Sequence, residues 1–250
     1  MKQKISNIIN PKIFYGFCLI ELLVLIVLKI VSAVAANSVG EACIMFSAIL
    51  INALFMLFLI LRVKRTGEDP AIKGIPLAVF TTLLADCFLV LAYALSSNGV
   101  INFITPLISN MIGFFIFGIV QVIYAFYLGL TKRRLIVRVG FYLLFIVVVY
   151  AMNMMTLDRL IACLSMSQLI LNVVYAWIEQ NKKRNCDSLL LAIGITLFFG
   201  CDAFIMLRML LTPGGFMYSA ICFMVWVFYI PSQVVLTSSY LYNREKALDA

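Results

Sequence analysis

Apolar residues in this chain form long continuous runs rather than the alternating patterns of a soluble domain. About 20 apolar residues cross a bilayer as a helix, and eight such runs occur, the fifth of them short. They predict an all-α fold, a polytopic membrane bundle of eight transmembrane helices in one transmembrane domain over residues 1–250. The predicted spans are residues 13–31, 42–61, 75–95, 103–130, 139–152, 157–178, 189–211 and 217–242.

The connections between these runs are short. The longest covers residues 62–74, where Gly67, Pro70 and Gly74 are typical of a loop and Pro76 of a helix start. No connection is long enough for a separate soluble domain.

Composition excludes several protein classes. Of 250 residues, 64% are apolar and 12% are charged, which excludes a soluble globule and a disordered chain. The chain has no histidine, so histidine-based acid–base catalysis and histidine-ligated metals are excluded. Its seven cysteines include no C-x-x-C pair and are expected to pack as small apolar residues.

The net charge of +8 is distributed in the way that orients a membrane protein. If the N-terminus is cytoplasmic, only Lys29, Arg159 and Arg208 of the 19 basic residues fall on the opposite side, which leaves 16 inside. We therefore expect an integral protein of the plasma membrane with both termini cytoplasmic. Its expected partner is the lipid bilayer, and we expect no nucleic-acid partner. Residues 32–36 resemble a signal-peptidase site, but Glu21 and Lys29 interrupt the preceding run, so we expect a retained first helix.

Polar residues recur near one depth of the predicted spans. Counted from the predicted cytoplasmic helix ends, they lie at about 12 to 20 Å, near the bilayer midplane. Polar side chains at this depth are costly and face the bundle interior. The fifth span contributes none. The residues are Glu21, Asn52, Asp86, Gln121, Gln168, Asp202, Tyr229 and Gln233.

These residues have two interpretations. Amides such as Asn52 and Gln168 favour hydrogen bonds that join helices, and Glu21 fits either a structural or a functional role. Asp86 and Asp202 are predicted to be functional, because no lysine at this depth pairs with them and Arg208 lies nearer the outer end, on another helix face. Burial disfavours the charged carboxyl, so one aspartate can act as acid and the other as base.

Four further side chains are predicted to hold water or a polar substrate near the aspartates. Tyr229 and Gln233 are spaced i, i+4, and Gln121 and Tyr124 are spaced i, i+3, so each pair shares a helix face. Pro231 is predicted to loosen the last helix and free carbonyls toward a cavity.

No nucleophile elbow, phosphate loop or dinucleotide-binding pattern occurs. The pairs Asp86-Cys87 and Cys201-Asp202 point to different helix faces, so we expect no metal and no cofactor. The stretches 85–91 and 201–207 are weakly similar and lie on the third and seventh spans, which suggests two parallel four-helix halves.

The same residues carry a family resemblance. One pattern covers residues 83–89 and 118–126, a second consists of Gly194, Phe198 and Cys201-Asp202, and a third is Tyr-x-x-x-Gln at 229 and 233. In this order, residues 75–240 resemble the YhhN family, small eight-helix membrane proteins that include the lysoplasmalogenases. Where the family has Gly, Ser and His, this chain has Ala85, Cys201 and Gln121.

The resemblance implies hydrolysis of the vinyl ether of a lysoplasmalogen to a fatty aldehyde and a glycerophospho-headgroup. Asp86 and Asp202 would be the acid/base pair, with Gln121, Tyr124, Tyr229, Gln233 and Glu21 as substrate-binding residues and a membrane lysolipid as the partner. Two alternatives stay open: a non-enzymatic carrier or lipid-binding sensor that uses the same carboxylates, and an inactive relative that only binds lipid.

Overall fold

The computed structural model describes residues 10–34, 39–65, 74–151, 153, 156–209 and 216–248. These ranges are mostly helical and contain no strand. They include eight helices that are long and apolar enough to cross a membrane. The predicted all-α polytopic bundle is therefore confirmed.

The eight membrane-crossing helices are numbered here as spans 1 to 8. Span 3 is composite, because a π-helical segment, Cys87–Ala92, separates the α-helices Ile75–Asp86 and Tyr93–Ser97. In order, the spans are Pro11–Val34, Val39–Arg65, Ile75–Ser97, Pro106–Tyr127, Lys132–Ala151, Leu157–Lys183, Cys186–Met209 and Phe216–Leu248.

Proline and capping groups mark several helix starts. Pro106 follows Thr105, whose hydroxyl accepts a hydrogen bond from the Ile108 N–H and so caps span 4. Before span 3, Gly74 has a φ of 90°, which favours glycine, and Pro76 lies in the first turn. Of the predicted loop 62–74, residues 66–73 lie outside the described residues, as do Ala35 and Ala36 of the signal-peptidase-like segment.

Span 5 differs from the sequence prediction. It begins at Lys132 rather than at residue 139. It also contributes a buried polar side chain, Arg138, which is 3% exposed, so the prediction that the fifth span has none is wrong. A count of apolar residues misses the first turns of this helix because they are basic.

Burial separates central from peripheral spans. Half of the span 8 window is buried inside the protein, against 17% for span 1 and 6% for span 5. Span 8 packs against spans 1, 2, 3 and 7. It is therefore the central helix of the bundle, and spans 1 and 5 are its outer helices.

The packing order of the first four spans is repeated by the last four. Spans 1 and 2 pack together as spans 5 and 6 do, spans 2 and 3 as spans 6 and 7, and spans 3 and 4 as spans 7 and 8. Span 2 also packs against span 8 as span 6 packs against span 4. This order fits two parallel four-helix halves, in which spans 3 and 7 occupy equivalent positions.

Candidate functional site

Asp86 of span 3 and Asp202 of span 7 line the same cavity. The cavity has a volume of about 260 Å³, and Tyr229 of span 8 lines it beside them. The Tyr229 hydroxyl donates a hydrogen bond to Oδ2 of Asp86. Three of the residues that the sequence singles out are thus brought together, although 116 positions along the chain, from 86 to 202, separate the two carboxyls.

A distorted helix positions Asp86. It is the last residue of the first α-helix of span 3, and the π-helix begins at the next residue. The Phe88 carbonyl accepts from the Tyr93 N–H five residues later and also from the Ser109 hydroxyl of span 4 at 2.7 Å. Short π-helical segments inside α-helices are frequent at functional sites.

Pro231 lies inside span 8 and does not end its helix. The helix of span 8 continues through Pro231 from Phe216 to Leu248, while span 3, which has no proline near Asp86, carries the π-helix. Span 4 packs closely against this part of span 3, because a Cβ on Gly113 would overlap the Leu89 side chain and lie 3.2 Å from the Ala85 carbonyl.

Aromatic rings contribute to the lining of the cavity that contains the carboxyls. The Tyr229 ring lies 5.7 Å from Phe198 and 5.4 Å from Trp226, measured between ring centroids. Phe198 in turn meets Phe117 of span 4 edge to face at 5.1 Å. These rings fix the orientation of the Tyr229 hydroxyl toward Asp86.

The cavity extends from the carboxyls toward one end of the bundle. Its polar lining there comes from residues near the helix ends that face away from both chain termini, namely Glu41 of span 2, Ser97 of span 3, Asn110 of span 4 and Arg208 of span 7. Between these ends and the aspartates the walls are mostly apolar, with side chains such as Val90. We call this polar end the mouth of the cavity.

Gln121 and Tyr124 are buried but are not among the residues that line this cavity. Gln121 is joined to Asn172 of span 6, whose amide donates to the Gln121 side-chain oxygen at 3.0 Å and to its main-chain oxygen at 2.9 Å. The position where the family pattern has histidine therefore lies in a helix–helix contact.

Gln233 and Glu21 also lie away from the cavity lining. Gln233 accepts a hydrogen bond from Asn52 of span 2 at 3.4 Å, and Thr237 donates to the same Asn52 at 3.0 Å. Glu21 on span 1 is 3% exposed, and one of its carboxyl oxygens has no hydrogen-bond partner among the described residues.

Sequence reasoning missed a buried cluster around Arg138. Its guanidinium donates to Gln168 at 3.0 Å and to Asn172 at 2.7 Å, and it lies over the Tyr175 ring at 5.2 Å. The signal was present, because Gln168, Asn172 and Tyr175 are spaced i, i+4, i+7 and so share one face of span 6. The cluster links spans 5 and 6, and through Asn172 it reaches Gln121 of span 4.

Arg208 lines the cavity as well, six residues beyond Asp202 on span 7. Arg208 lies at the end of span 7, at the mouth of the cavity. In the described ranges, no three His, Cys, Asp or Glu side chains are grouped as a metal site would require.

A comparison with known families identifies the family of the chain. The model of the YhhN family matches residues 47–240, most of the chain, so the protein belongs to the YhhN family. The match begins at residue 47, earlier than the resemblance seen in the sequence motifs. No curated protein and no solved structure matches the chain.

Proposed function

We propose that this member of the YhhN family is a lysoplasmalogenase-like hydrolase that works inside the membrane. Its reaction would cleave the vinyl ether of a lysoplasmalogen with water to give a fatty aldehyde and a glycerophospho-headgroup. The observation that carries the proposal is the pair of carboxyls, Asp86 and Asp202, on one cavity with the Tyr229 hydroxyl bonded to Asp86.

The chemistry of a vinyl ether suits two carboxyls. One carboxyl, acting as acid, donates its proton to the vinyl carbon that is not bonded to oxygen, and the C=C bond becomes an oxocarbenium ion. The other carboxylate takes a proton from water as the water oxygen attacks the carbon bonded to oxygen. The resulting hemiacetal collapses to the aldehyde and the free glycerol hydroxyl. Paired carboxyls flank an oxocarbenium-like transition state in glycoside hydrolysis in the same way.

The cavity suits part of a lipid rather than a whole one. Its volume of about 260 Å³ is below the roughly 300–1,000 Å³ of pockets that enclose a drug-sized ligand. It would hold the vinyl ether and the adjoining glycerol near the aspartates. The remaining hydrocarbon chain would lie among the apolar side chains that the spans expose to lipid, where it loses no hydrophobic contact.

Substitution of the aspartates tests the proposal. Asp86→Asn and Asp202→Asn remove a titratable carboxyl with almost no change of shape, and we expect aldehyde release from a vinyl-ether lysolipid to fall by about 10²–10⁴-fold, the usual contribution of an acid–base group. Asp187→Asn, in the first turn of span 7 and away from this cavity, is the matched control and should keep its activity.

Two results would contradict the proposal. Full aldehyde release by both variants would remove the assigned acid/base pair. Lipid-dependent proton uptake into liposomes without aldehyde, from a well-folded wild type, would instead favour the non-enzymatic carrier.

A further inference from the structure

We propose that Glu21 binds a sodium ion between spans 1, 2 and 8. Side-chain oxygens of three residues on the other two spans would complete the site, namely Asn52, Gln233 and Thr237. None of these four residues is among those that line the cavity of the acidic pair. The inference is therefore independent of the proposed hydrolysis and concerns a second site on the molecule.

Glu21 lies on the buried face of span 1. Among the described residues of this span, the buried ones are Phe17, Glu21 and Leu28, and their spacing places them on one face of the helix. Span 1 packs against spans 2 and 8. The carboxyl, on a residue that is 3% exposed, therefore faces these two helices rather than lipid.

A ring contact places Glu21 level with Asn52 of span 2. Phe17 stacks on Phe55 of span 2, with ring centroids 3.9 Å apart. Because consecutive spans cross the membrane in opposite directions, one turn onward in span 1 corresponds to one turn back in span 2. Glu21 is one turn after Phe17. Asn52 is about one turn before Phe55, so the two polar side chains lie at the same level.

A second contact places Glu21 near the level of Gln233 of span 8. The Lys29 ammonium lies 4.5 Å from the centre of the Phe223 ring of span 8. Spans 1 and 8 also run in opposite directions, so Glu21, eight residues before Lys29, lies level with about residue 231. Gln233 is two residues further on, a rise of about 3 Å. A direct hydrogen bond between Asn52 and Gln233 agrees with both levels.

The three partner residues place uncharged oxygen atoms beside one another. The Asn52 amide donates to the Gln233 side-chain oxygen at 3.4 Å, and the Thr237 hydroxyl donates to the Asn52 side-chain oxygen at 3.0 Å. All three residues are buried. Carboxylate and carbonyl oxygens are the ligands that hard cations prefer, so these groups with one carboxylate form a suitable donor set.

Two buried atoms of this cluster have no hydrogen-bond partner among the described residues. They are Oε1 of Glu21 and Nε2 of Gln233. Such atoms are costly to bury unless a ligand completes them. A cation would complete the Glu21 oxygen, and the Gln233 N–H group would donate to a water ligand of the ion.

No basic side chain of the described residues balances the charge of Glu21. The ion pairs of these residues involve Glu179 and not Glu21, and Lys29 lies over the Phe223 ring. The basic residues of spans 2 and 8 lie at the C-terminal ends of these helices, at least ten residues beyond Asn52 and Gln233. A buried carboxylate without a counter-charge is costly, and one negative charge balances one monovalent cation.

The surrounding oxygens favour sodium over a proton alone. A proton would neutralise Glu21 without help from the other two helices, whereas a metal cation needs several oxygen ligands. Sodium sites near the middle of the membrane, at the interface between repeated halves, occur in other membrane proteins. The ion would join span 1, an outer helix, to span 8, the central helix.

Thermal unfolding of the detergent-solubilised protein tests the site. At a sodium concentration about ten times its Kd, sodium chloride should raise Tm by about 4 °C relative to choline chloride at the same ionic strength, because the ion binds the folded state. Glu21→Gln should have the same Tm in the two salts. A wild-type Tm that does not rise with sodium at any concentration would overturn the proposal.

A threonine pair tests the uncharged ligands. Thr237→Val removes one oxygen with little change of shape and should raise the sodium concentration needed for half of the Tm shift by about tenfold. The matched control is Thr82→Val on span 3, because Thr82 is also buried and its hydroxyl donates to Ala78 within its own helix. The control should keep the wild-type sodium dependence. The same dependence in both variants would overturn the assignment of Thr237.

Carboxyl labelling separates sodium from a proton. Dicyclohexylcarbodiimide reacts with protonated carboxyls in apolar surroundings, and the tryptic peptide of residues 13–29 contains Glu21 as its single acidic residue. At constant pH, sodium at about ten times its Kd should slow labelling of this peptide by about tenfold relative to choline. Labelling that responds to pH and not to sodium would show a proton site and would overturn the sodium assignment.

Discussion

Tyr229 is the residue that connects Asp86 to the aromatic rings of the cavity lining. Its hydroxyl donates to Asp86, and its ring packs between Phe198 and Trp226. A buried phenol held on both sides cannot turn away from its acceptor. Tyr229 therefore fixes the orientation of the Asp86 carboxyl relative to the cavity.

Removal of this hydroxyl should slow the reaction without unfolding the protein. A hydrogen bond to a charged group contributes about 1.5–3 kcal/mol, so Tyr229→Phe should lower kcat roughly 10- to 100-fold. The measurement is aldehyde release under saturating lysolipid. Tyr142→Phe removes a hydroxyl on span 5 that donates to the Leu160 carbonyl and should keep its kcat. Equal kcat values for the two variants would show that the Tyr229 hydroxyl has no role.

Two asparagines form similar helix contacts in the two halves of the protein. Asn172 of span 6 bonds Gln121 of span 4, and Asn52 of span 2 bonds Gln233 and Thr237 of span 8. Spans 2 and 6, and spans 4 and 8, are equivalent in the repeated packing order. The sequence predicts that amide side chains join helices through hydrogen bonds. Such hydrogen bonds thus occur in both halves, at related positions.

At the scale of elements, close contact between spans 7 and 8 brings Asp202 and Tyr229 to the same cavity. A Cβ on Gly194 would lie 2.8 Å from Cγ and 3.2 Å from the main-chain nitrogen of Leu236, and one on Gly200 would lie 2.5 Å from the Phe228 ring. Glycine at both positions lets the two helices approach over several turns. This is the packing by small residues that is typical of membrane helices.

Substitution of one of these glycines should separate the helices. We expect Gly194→Ala to destabilise the protein by about 1–3 kcal/mol, since the extra methyl group overpacks a filled contact. The control is Gly140→Ala on span 5, where a Cβ would meet nothing within 4 Å and where alanine favours the helix. The measurement is unfolding of both variants in detergent by SDS titration. Equal stability of the two variants would contradict the close contact.

At the scale of the whole molecule, the polar end of the cavity lies at one end of the bundle. Its mouth lies at the end of the bundle opposite the chain termini, and the excess of basic residues in the sequence predicts that the termini are cytoplasmic. With this orientation, the polar end of the cavity would face the outer leaflet.

Reporter fusions test this orientation. Alkaline phosphatase inserted after Gly99, in the connection between spans 3 and 4, should be active in a bacterial host because this connection would lie outside the cytoplasm. Green fluorescent protein fused to the C-terminus should fluoresce. An inactive phosphatase at Gly99 together with a dark C-terminal fusion would reverse the predicted topology.

The number of spans and most of their limits, span 5 excepted, follow from the sequence, because bilayer thickness fixes the length of an apolar helix. Span 3 from Ile75 and span 8 to Tyr242 match the apolar runs closely. The depth of Asp86 and Asp202 along their helices also follows from counting residues. These are local properties, and no knowledge of neighbouring helices is needed to obtain them.

Tertiary structure alone decides which polar residues meet. Lipid and protein interior are both apolar, so the pattern of a membrane helix does not reveal which face contacts which neighbour. Gln121 and Asp86 have similar predicted depths, yet Gln121 pairs with Asn172 while Asp86 meets Tyr229. The burial of Arg138 likewise arises from contacts between spans. The sequence by itself determined the bundle and the acidic pair, and packing between helices determined the cavity that joins them.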